Sequence, residues 1–415
     1  MARILVVKRL FPYPPSQGTR RVSLALLADL ASRHETVFLT QLDNAAERAQ
    51  VPHVEELGVR VVAPFTPNRR SPLHRALYKV KNRTFARLQG RPEMSYYASN
   101  HALRANLERL GREFAPHLTI LESWETYPLR RSIGGGLAAL LAHDVAYQIL
   151  ERAAGAAADP RERDRRKRAL ELEKRVEIES WRLFDAVLTL TENDRETVAR
   201  EAGGPDGAHC PLVRHLPVPV ADEFFAFGRP ATAGCRIGFL GSLLADFNLD
   251  ALDFLLGEVW PRVRARLPGA ELSIAGGGYR GPLERRAREG GARWLGLVAD
   301  LREFYEEIDA LVVPLRFGAG VRIRILEALA AGVPVVATPI AVAGLPLTSG
   351  EQVLMGSDAE DLAGRIAWLC AHPAEAAGLS ARGREWSARS HGASVLRGPR
   401  LAVIDEILAL RPAHP

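Results

Sequence analysis

Cysteine is scarce in this chain, with only Cys210, Cys235 and Cys370 among 415 residues. They lack the short spacings of a zinc site, so no metal centre is expected. Their scatter points to a reducing compartment and no disulfide framework. Long apolar runs are equally rare. The longest uncharged stretch, residues 328–350, is about as long as a membrane span, but Pro334, Pro339, Pro346, Gly332 and Gly344 interrupt it. At the amino end the apolar run 4–7 stops at Lys8, too short for a secretory signal. The expectation is a soluble, cytoplasmic protein. No D-x-D pair occurs, which speaks against a carboxylate-held divalent metal bridging a diphosphate. The patterns G-x-S-x-G, H-E-x-x-H and G-x-x-x-x-G-K-[ST] are also missing, and the common hydrolase, zinc-protease and P-loop chemistries lose support with them.

What the chain does have is arginine. Its formal charge of +6 and pI near 9.4 suit anionic ligands or an anionic surface, but are too mild to argue for nucleic acid. Apolar content of 47% and charged content of 25% are those of a globular protein, and 415 residues exceed one ordinary core. The pattern is strand, loop, helix, strand, repeated, which implies α/β architecture with parallel sheets covered on both faces. It runs through residues 1–216, breaks over the proline-rich stretch 217–234, resumes over 235–390, and ends in a tail helix within 391–415. Two α/β domains joined by a linker follow, and the tail helix is expected to return to the first.

The stretch 311–345 carries the clearest chemistry. A strand ending at Pro314 gives way to a loop with Gly318 and Gly320, then to a helix carrying Arg322, Arg324 and one acid, Glu327. A helix start behind glycines offers unpaired N–H groups and a positive dipole end, which favour an anion such as phosphate. Glu327 is placed to accept from a sugar or ribose hydroxyl pair. The competing reading is a sheet crossover with an incidental acid. The run from Gly276 to Gly281 formally matches G-x-G-x-x-G with Asp300 beyond it, yet it follows the second strand of its domain, so it reads as a close backbone turn. Gly18 precedes the first long helix, and His143 directly follows a strand, at the carboxyl edge where open α/β sheets bind ligands. Residues 69–91, from Arg69 to Arg91, hold eight basic residues and no acid, a segment able to lie on an anionic membrane or to form a solvated helix. Residues 159–182 interleave acids with bases and read as a solvated helical face.

With both halves in view, the chain resembles the retaining glycosyltransferases of family 4, which have two Rossmann-like domains facing a central cleft in the GT-B arrangement. The resemblance rests on Phe239 to Leu243 with Asn248 and Leu252, on Leu272 to Gly277, on Trp294 to Val298 with Asp300 and Leu301, and above all on Pro314 to Thr338. Phe11 to Pro15 with Gly18 looks like the acceptor-domain start. The resemblance implies that a nucleotide-diphosphate-sugar donor is bound by Gly18, Gly241, Ser242, Gly276, Leu297, Val298, Gly318, Gly320, Val321 and Glu327. It further implies that Arg322, Arg324 and His143 stand at the reacting groups, and that neither a metal nor a cofactor is needed. Glu327 would take the ribose and Leu297 with Val298 the base. The acceptor would be a hydroxyl of a glycan, a lipid-linked sugar or a small molecule, with peripheral contact at the inner membrane surface through residues 69–91. Two departures mark a branch: Ala319 stands where the family's E-x7-E motif has its first glutamate, and residues 242–251 lack the basic pair usual there. Rival readings are a GT-B sugar-nucleotide epimerase or hydrolase, a catalytically silent nucleotide-sugar-binding protein and, more distantly, a nicotinamide-dependent oxidoreductase.

Overall fold

Short, mainly apolar runs become the strands of two parallel sheets, whose central strands are buried because helices cover both faces, while the edge strands are more exposed. A computed structural model describes residues 1–15, 17–64, 80, 84, 92, 100–156, 159–203, 209–226, 234–279, 281–298, 300–318 and 320–411. Segment 69–91, apart from Val80 and Thr84, lies outside the described residues, as does Ala319. Two units emerge. One is built from Met1–Pro15, Thr19–Pro217 and Arg397–Pro415, the other from Ser16–Gly18 and Val218–Leu396.

In the first unit the strands are β1 (Arg3–Leu10), β2 (Glu35–Gln41), β3 (Arg60–Val62), β4 (Leu118–Glu122), β5 (Leu137–Ala142), β6 (Ala186–Thr189) and β7 (Leu212–His215). Among the described residues they form a seven-stranded sheet in the order β3-β2-β1-β4-β5-β6-β7, so the winding direction reverses between β1 and β4. There Val7 stands opposite Leu121. The main helices are α1 (Gly18–Ala31), α2 (His101–Glu113), α3 (Ala146–Ala156), α4 (Pro160–Trp181) and α5 (Glu192–Ala202). Leu5, Val7, Leu121 and Leu140 of the sheet meet Trp181 and Phe184 in one core. Thr191 caps α5, its hydroxyl accepting from the Asp194 N–H at 2.9 Å. Thr191→Ala is expected to cost about 1 kcal/mol, read from the urea midpoint at unchanged slope.

The long helix α4 is not solely a solvated face. Glu177 is fully enclosed and accepts from the Ala146 and Tyr147 N–H groups, both at 2.9 Å, satisfying the open start of α3. Burial, with smaller contributions from nearby Glu173 and Glu125 and against those two bonds, lifts its carboxyl to about 8. Burial, then Glu125, lifts Glu173 to about 7. Both folded values exceed the unfolded one, so the folded chain holds more protons across this window. The stability these two groups contribute is full below pH 4.5 and is lost as pH rises through 7 and 8. Glu177→Gln is expected to flatten that fall; urea titrations at pH 5.5 and 8.5 check it, and an unchanged pH slope counts against the assignment.

The second unit holds β8 (Arg236–Leu240), β9 (Glu271–Ala275), β10 (Arg293–Gly296), β11 (Ala310–Val313), β12 (Val335–Ala337) and β13 (Leu354–Met355), in the order β10-β9-β8-β11-β12-β13. Here the reversal lies between β8 and β11. Helix α6 (Asp246–Phe254) runs through a π turn at Leu255–Val259 into α7 (Trp260–Arg266). There follow α8 (Pro282–Glu289), α9 (Leu301–Glu307), α10 (Ile323–Ala330), α11 (Ala359–Ala371), α12 (Pro373–His391) and α13 (Ala393–Leu408). The proline-rich stretch is partly ordered: Val220 bridges to Gly392, and Asp222–Phe225 forms a 3-10 turn that buries Phe224. From Arg397 onward α13 belongs to the first unit, where buried Arg400 donates to Asp29 and to the Pro217 carbonyl, both at 2.6 Å.

One expectation is overturned. Cys235 and Cys370, 135 residues apart, are joined by a disulfide, with Cα atoms 5.3 Å apart. Chain spacing carries no trace of this, because it is the packing of α11 beside the start of β8 that brings the two together. Cys210 is a free, exposed thiol.

Candidate functional site

In open α/β sheets a ligand crevice forms outside the carboxyl ends of the strands where the winding reverses, because the flanking loops diverge there. In the second unit that place lies beyond β8 and β11. After β8 the chain turns through Gly241 and Ser242 into α6, and after β11 it passes Gly318 and Gly320 into α10. These two glycines have φ of +139° and +74°, which side chains rarely adopt, so the loop needs both.

Arg324 explains the missing basic pair. From the first turn of α10 its guanidinium reaches back to the end of β8, donating to the Leu240 carbonyl and to Asn248 Oδ1 at 3.0 and 2.9 Å. Asn248 is held in turn by its own bond to the Ser242 carbonyl at 2.8 Å. A charge from α10 thus occupies the place where residues 242–251 supply none. Gly241 is glycine because a Cβ there would fall 2.5 Å from the Arg324 Nη1. Gly276 is glycine because a Cβ would fall 2.0 Å from the Gly241 carbonyl oxygen, a backbone contact that cannot yield. At Gly276 the backbone approach is therefore as close as the sequence implied. Asp300 caps α9 and pairs with Arg302 at 2.6 Å, a local task rather than that of a ribose-binding acid in a dinucleotide fold.

Arg322 precedes α10 and is buried, whereas Arg324 is half-buried. Its guanidinium lies over the Phe247 ring, 5.3 Å from the centroid, and close enough to Gly318 that a Cβ there would come within 2.4 Å of Nη2. Burial, reinforced by Arg322, lowers Arg324 to about 9. Among the described residues the hydrogen-bond partners of Arg324 are neutral. A buried cation without a carboxylate is costly, and an anion bound beside it offsets that cost.

Glu327, one turn further along α10, is 2% exposed. The Tyr305 hydroxyl lies 3.3 Å from its Oε2 and 3.2 Å from the Arg324 carbonyl, one proton serving either acceptor. The helix then stops cleanly: Gly332 at φ +69° lets the Val333 N–H reach the Ala328 carbonyl and its own N–H reach Leu329. Val321, half-buried, enters α10 from the glycine loop. Beyond β10, Leu297 is 66% exposed and leans on Gly277, with half-buried Val298 beside it. Leu244, 68% exposed, leans on Gly278 in the same way, and sequence reasoning missed it. Two apolar side chains over a glycine turn form a surface able to take a flat ring.

In the first unit the reversal point is filled by side chains. Lys8 of β1 contacts Glu122 Oε2 of β4 at 3.0 Å, Ser23 of α1 donates to the same oxygen at 2.6 Å, and His143 Nε2 lies 3.1 Å from it. All four are buried. Burial alone would raise Glu122, but Lys8, then His143 and Ser23, hold it down at about 2. Burial and the Lys8 charge push the His143 imidazole below its ordinary value, outweighing Glu122. Ser123, between Glu122 and the 3-10 turn Trp124–Ser132, has φ +73°, a strained conformation for a residue other than glycine. Lys8 and Glu122 were missed in sequence, because the contact joins residues 114 apart. Gly18 stands at the first residue of α1 and is grouped with the second unit. The structure thus gathers Gly241, Gly276, Gly318, Arg322 and Arg324 into one neighbourhood, with Glu327 on the same helix, while His143 belongs to the first unit.

No group of three or more histidine, cysteine or acidic side chains able to hold a metal ion occurs among the described residues, and no described helix is long and apolar enough to cross a membrane. Residues 234–372 match the family model of group 1 glycosyl transferases. The chain is 31% identical over 240 residues to a GDP-mannose-dependent alpha-(1-6)-phosphatidylinositol monomannoside mannosyltransferase of Mycolicibacterium smegmatis, covering 52% of this chain and 61% of that protein. It is 28% identical over 157 residues to an uncharacterized 44.6 kDa protein in the cps region of Klebsiella pneumoniae, covering 35% and 39%. The chain thus spans less than two thirds of either relative. Among solved structures, HepE of Anabaena in complex with UDP and glucose superposes at TM-score 0.70 and 13% identity over 98% of this chain and 100% of that one. Sucrose-phosphate synthase from Thermosynechococcus elongatus superposes at 0.68 and 16%, over 99% and 100%. The fold is GT-B, with a Rossmann-like sheet of seven strands in one unit and of six in the other.

Proposed function

We propose that this protein is a glycosyltransferase that moves a sugar from a nucleoside-diphosphate sugar to an acceptor hydroxyl, with retention of configuration and without a metal. The observation that carries this reading is the pair of arginines at the start of α10, Arg322 buried and Arg324 half-buried, inside the region that matches group 1 glycosyl transferases. Arg324 and Arg322, with the N–H groups entering α10, would hold the diphosphate and stabilise the charge that builds on it as the sugar departs. Glu327 would accept from the ribose hydroxyls, and Leu297 with Val298 would face the base. His143 would stand beside the transferred sugar. The acceptor hydroxyl attacks on the face being vacated, and the leaving phosphate takes its proton, so the enzyme's chief contribution is positioning.

The relatives named for a GDP-sugar and solved with UDP share a nucleoside diphosphate, the part of the donor that arginines can hold. The mycobacterial relative acts on a lipid-linked acceptor, which suits peripheral membrane contact through residues 69–91. A thermal-shift panel of nucleotides and nucleotide sugars tests donor binding, since a ligand of the native state raises the melting temperature. Transfer assays with and without EDTA, and the anomeric configuration of the product by NMR, test the rest. Failure of every nucleotide to stabilise the protein would sink the reading. Rapid epimer formation without acceptor would replace it with an epimerase.

A further inference from the structure

The cluster at the reversal point of the first sheet carries a further inference, which rests on the reading of His143 as the residue beside the transferred sugar. Glu122 Oε2 gathers contacts from Lys8 Nζ at 3.0 Å, Ser23 Oγ at 2.6 Å and His143 Nε2 at 3.1 Å. Lys8 is itself fixed from two further sides, by the Thr19 carbonyl at 2.9 Å and Ser23 Oγ at 2.6 Å. A carboxylate oxygen only accepts, so each group facing it must offer a proton. For His143 this decides which ring nitrogen carries hydrogen: Nε2 is protonated and donates. A neutral imidazole then has its lone pair on Nδ1. Nδ1 is enclosed, and among the described residues it has no hydrogen-bond partner. A buried acceptor without a partner is unusual and calls for an explanation, which a ligand hydroxyl supplies.

We propose that Glu122, held by Lys8, is a positioning residue that locks His143 as the neutral Nε2–H tautomer, so that Nδ1 accepts a hydrogen bond from a hydroxyl of the sugar substrate. Glu122 touches no substrate in this scheme; it acts through the imidazole. Lys8 keeps the carboxylate ionised and immobile. Without this lock the imidazole would populate the other tautomer, whose Nδ1–H cannot accept from a hydroxyl.

The test compares two double variants, because removing Glu122 alone would leave Lys8 buried and unpaired and could unfold the chain. K8M/E122Q removes both charges but keeps an amide oxygen that accepts from Nε2–H. K8M/E122L removes the acceptor as well. With histidine-selective 15N labelling, and the His143 signals identified by their loss in H143Q, the wild type and K8M/E122Q are expected to show an unprotonated Nδ1, and K8M/E122L a mixture of tautomers. UDP-glucose and GDP-mannose serve as probes: the one that stabilises the protein should shift the His143 Nδ1 resonance in the wild type but not in K8M/E122L. In transfer kinetics K8M/E122L should fall about tenfold below K8M/E122Q in kcat. A protonated Nδ1 in the wild type, or equal kcat in two well-folded double variants, would overturn the proposal. If no donor supports transfer by the wild type, the glycosyltransferase reading fails while the NMR arm still decides the tautomer.

Discussion

Arg324→Met should lower kcat/KM for the nucleotide-sugar donor by about 10²–10³, the cost of losing one well-placed donor to a developing anion. Arg324 reaches the end of β8, bonded to Leu240 and Asn248 rather than to a carboxylate. Methionine keeps much of its volume and removes a half-buried charge that has no carboxylate partner among the described residues, so the melting temperature without ligand should hold or rise. Stabilisation by the free nucleoside diphosphate should be lost in parallel. Arg324→Lys should fall between the two, since an ammonium keeps the charge but cannot present the planar fork that meets both acceptors. Steady-state donor kinetics with calorimetric melting make the measurement. Unchanged kcat/KM in a folded Arg324→Met protein would remove this residue from the diphosphate site.

Glu327→Ala is expected to raise the donor KM by about 10- to 100-fold, as for a lost charge-assisted hydrogen bond, with kcat much less affected. The ribose is remote from the reacting bond, so its contacts count equally in ground and transition states and appear in KM. The substitution also strips the Tyr305 hydroxyl of one acceptor, a purely structural effect. Tyr305→Phe separates the two, because it breaks that bond and leaves the carboxylate. If Tyr305→Phe reproduced the whole KM change, or Glu327→Ala left donor KM unaltered, the ribose role would be untenable. A 2′-deoxyribose donor should lose affinity with the wild type and little with Glu327→Ala.

Much of the architecture was legible because a strand buried on both faces needs an unbroken apolar run, and residues 137–142 and 310–313 are such runs. The glycine loop before α10 and the stop at Gly332 were legible for a related reason, since only glycine takes those φ values without cost. Less came through where pairing is remote. Lys8 and Glu122 meet across 114 residues, and nothing local in either strand announces it. The Cys235–Cys370 bond is silent in the same way. Helix α6 buries Asn248 and Ala251 by tertiary packing although their stretch looks polar. The 3-10 turn Trp124–Ser132 went unread, with Pro128 inside it and a strained serine before it, and β13 is too short to show a period.

The disulfide has a practical corollary. With Cys235 and Cys370 joined, the chain presents a single reactive thiol, Cys210, exposed and lying in the first unit, while the arginine pair lies in the second. A maleimide dye therefore labels one known position with no cysteine engineering. A fluorescence change at that dye on adding a nucleoside diphosphate would be a message carried from one half of the molecule to the other. The native chain thus already contains the reporter needed to ask whether occupancy of one half is sensed by its neighbour.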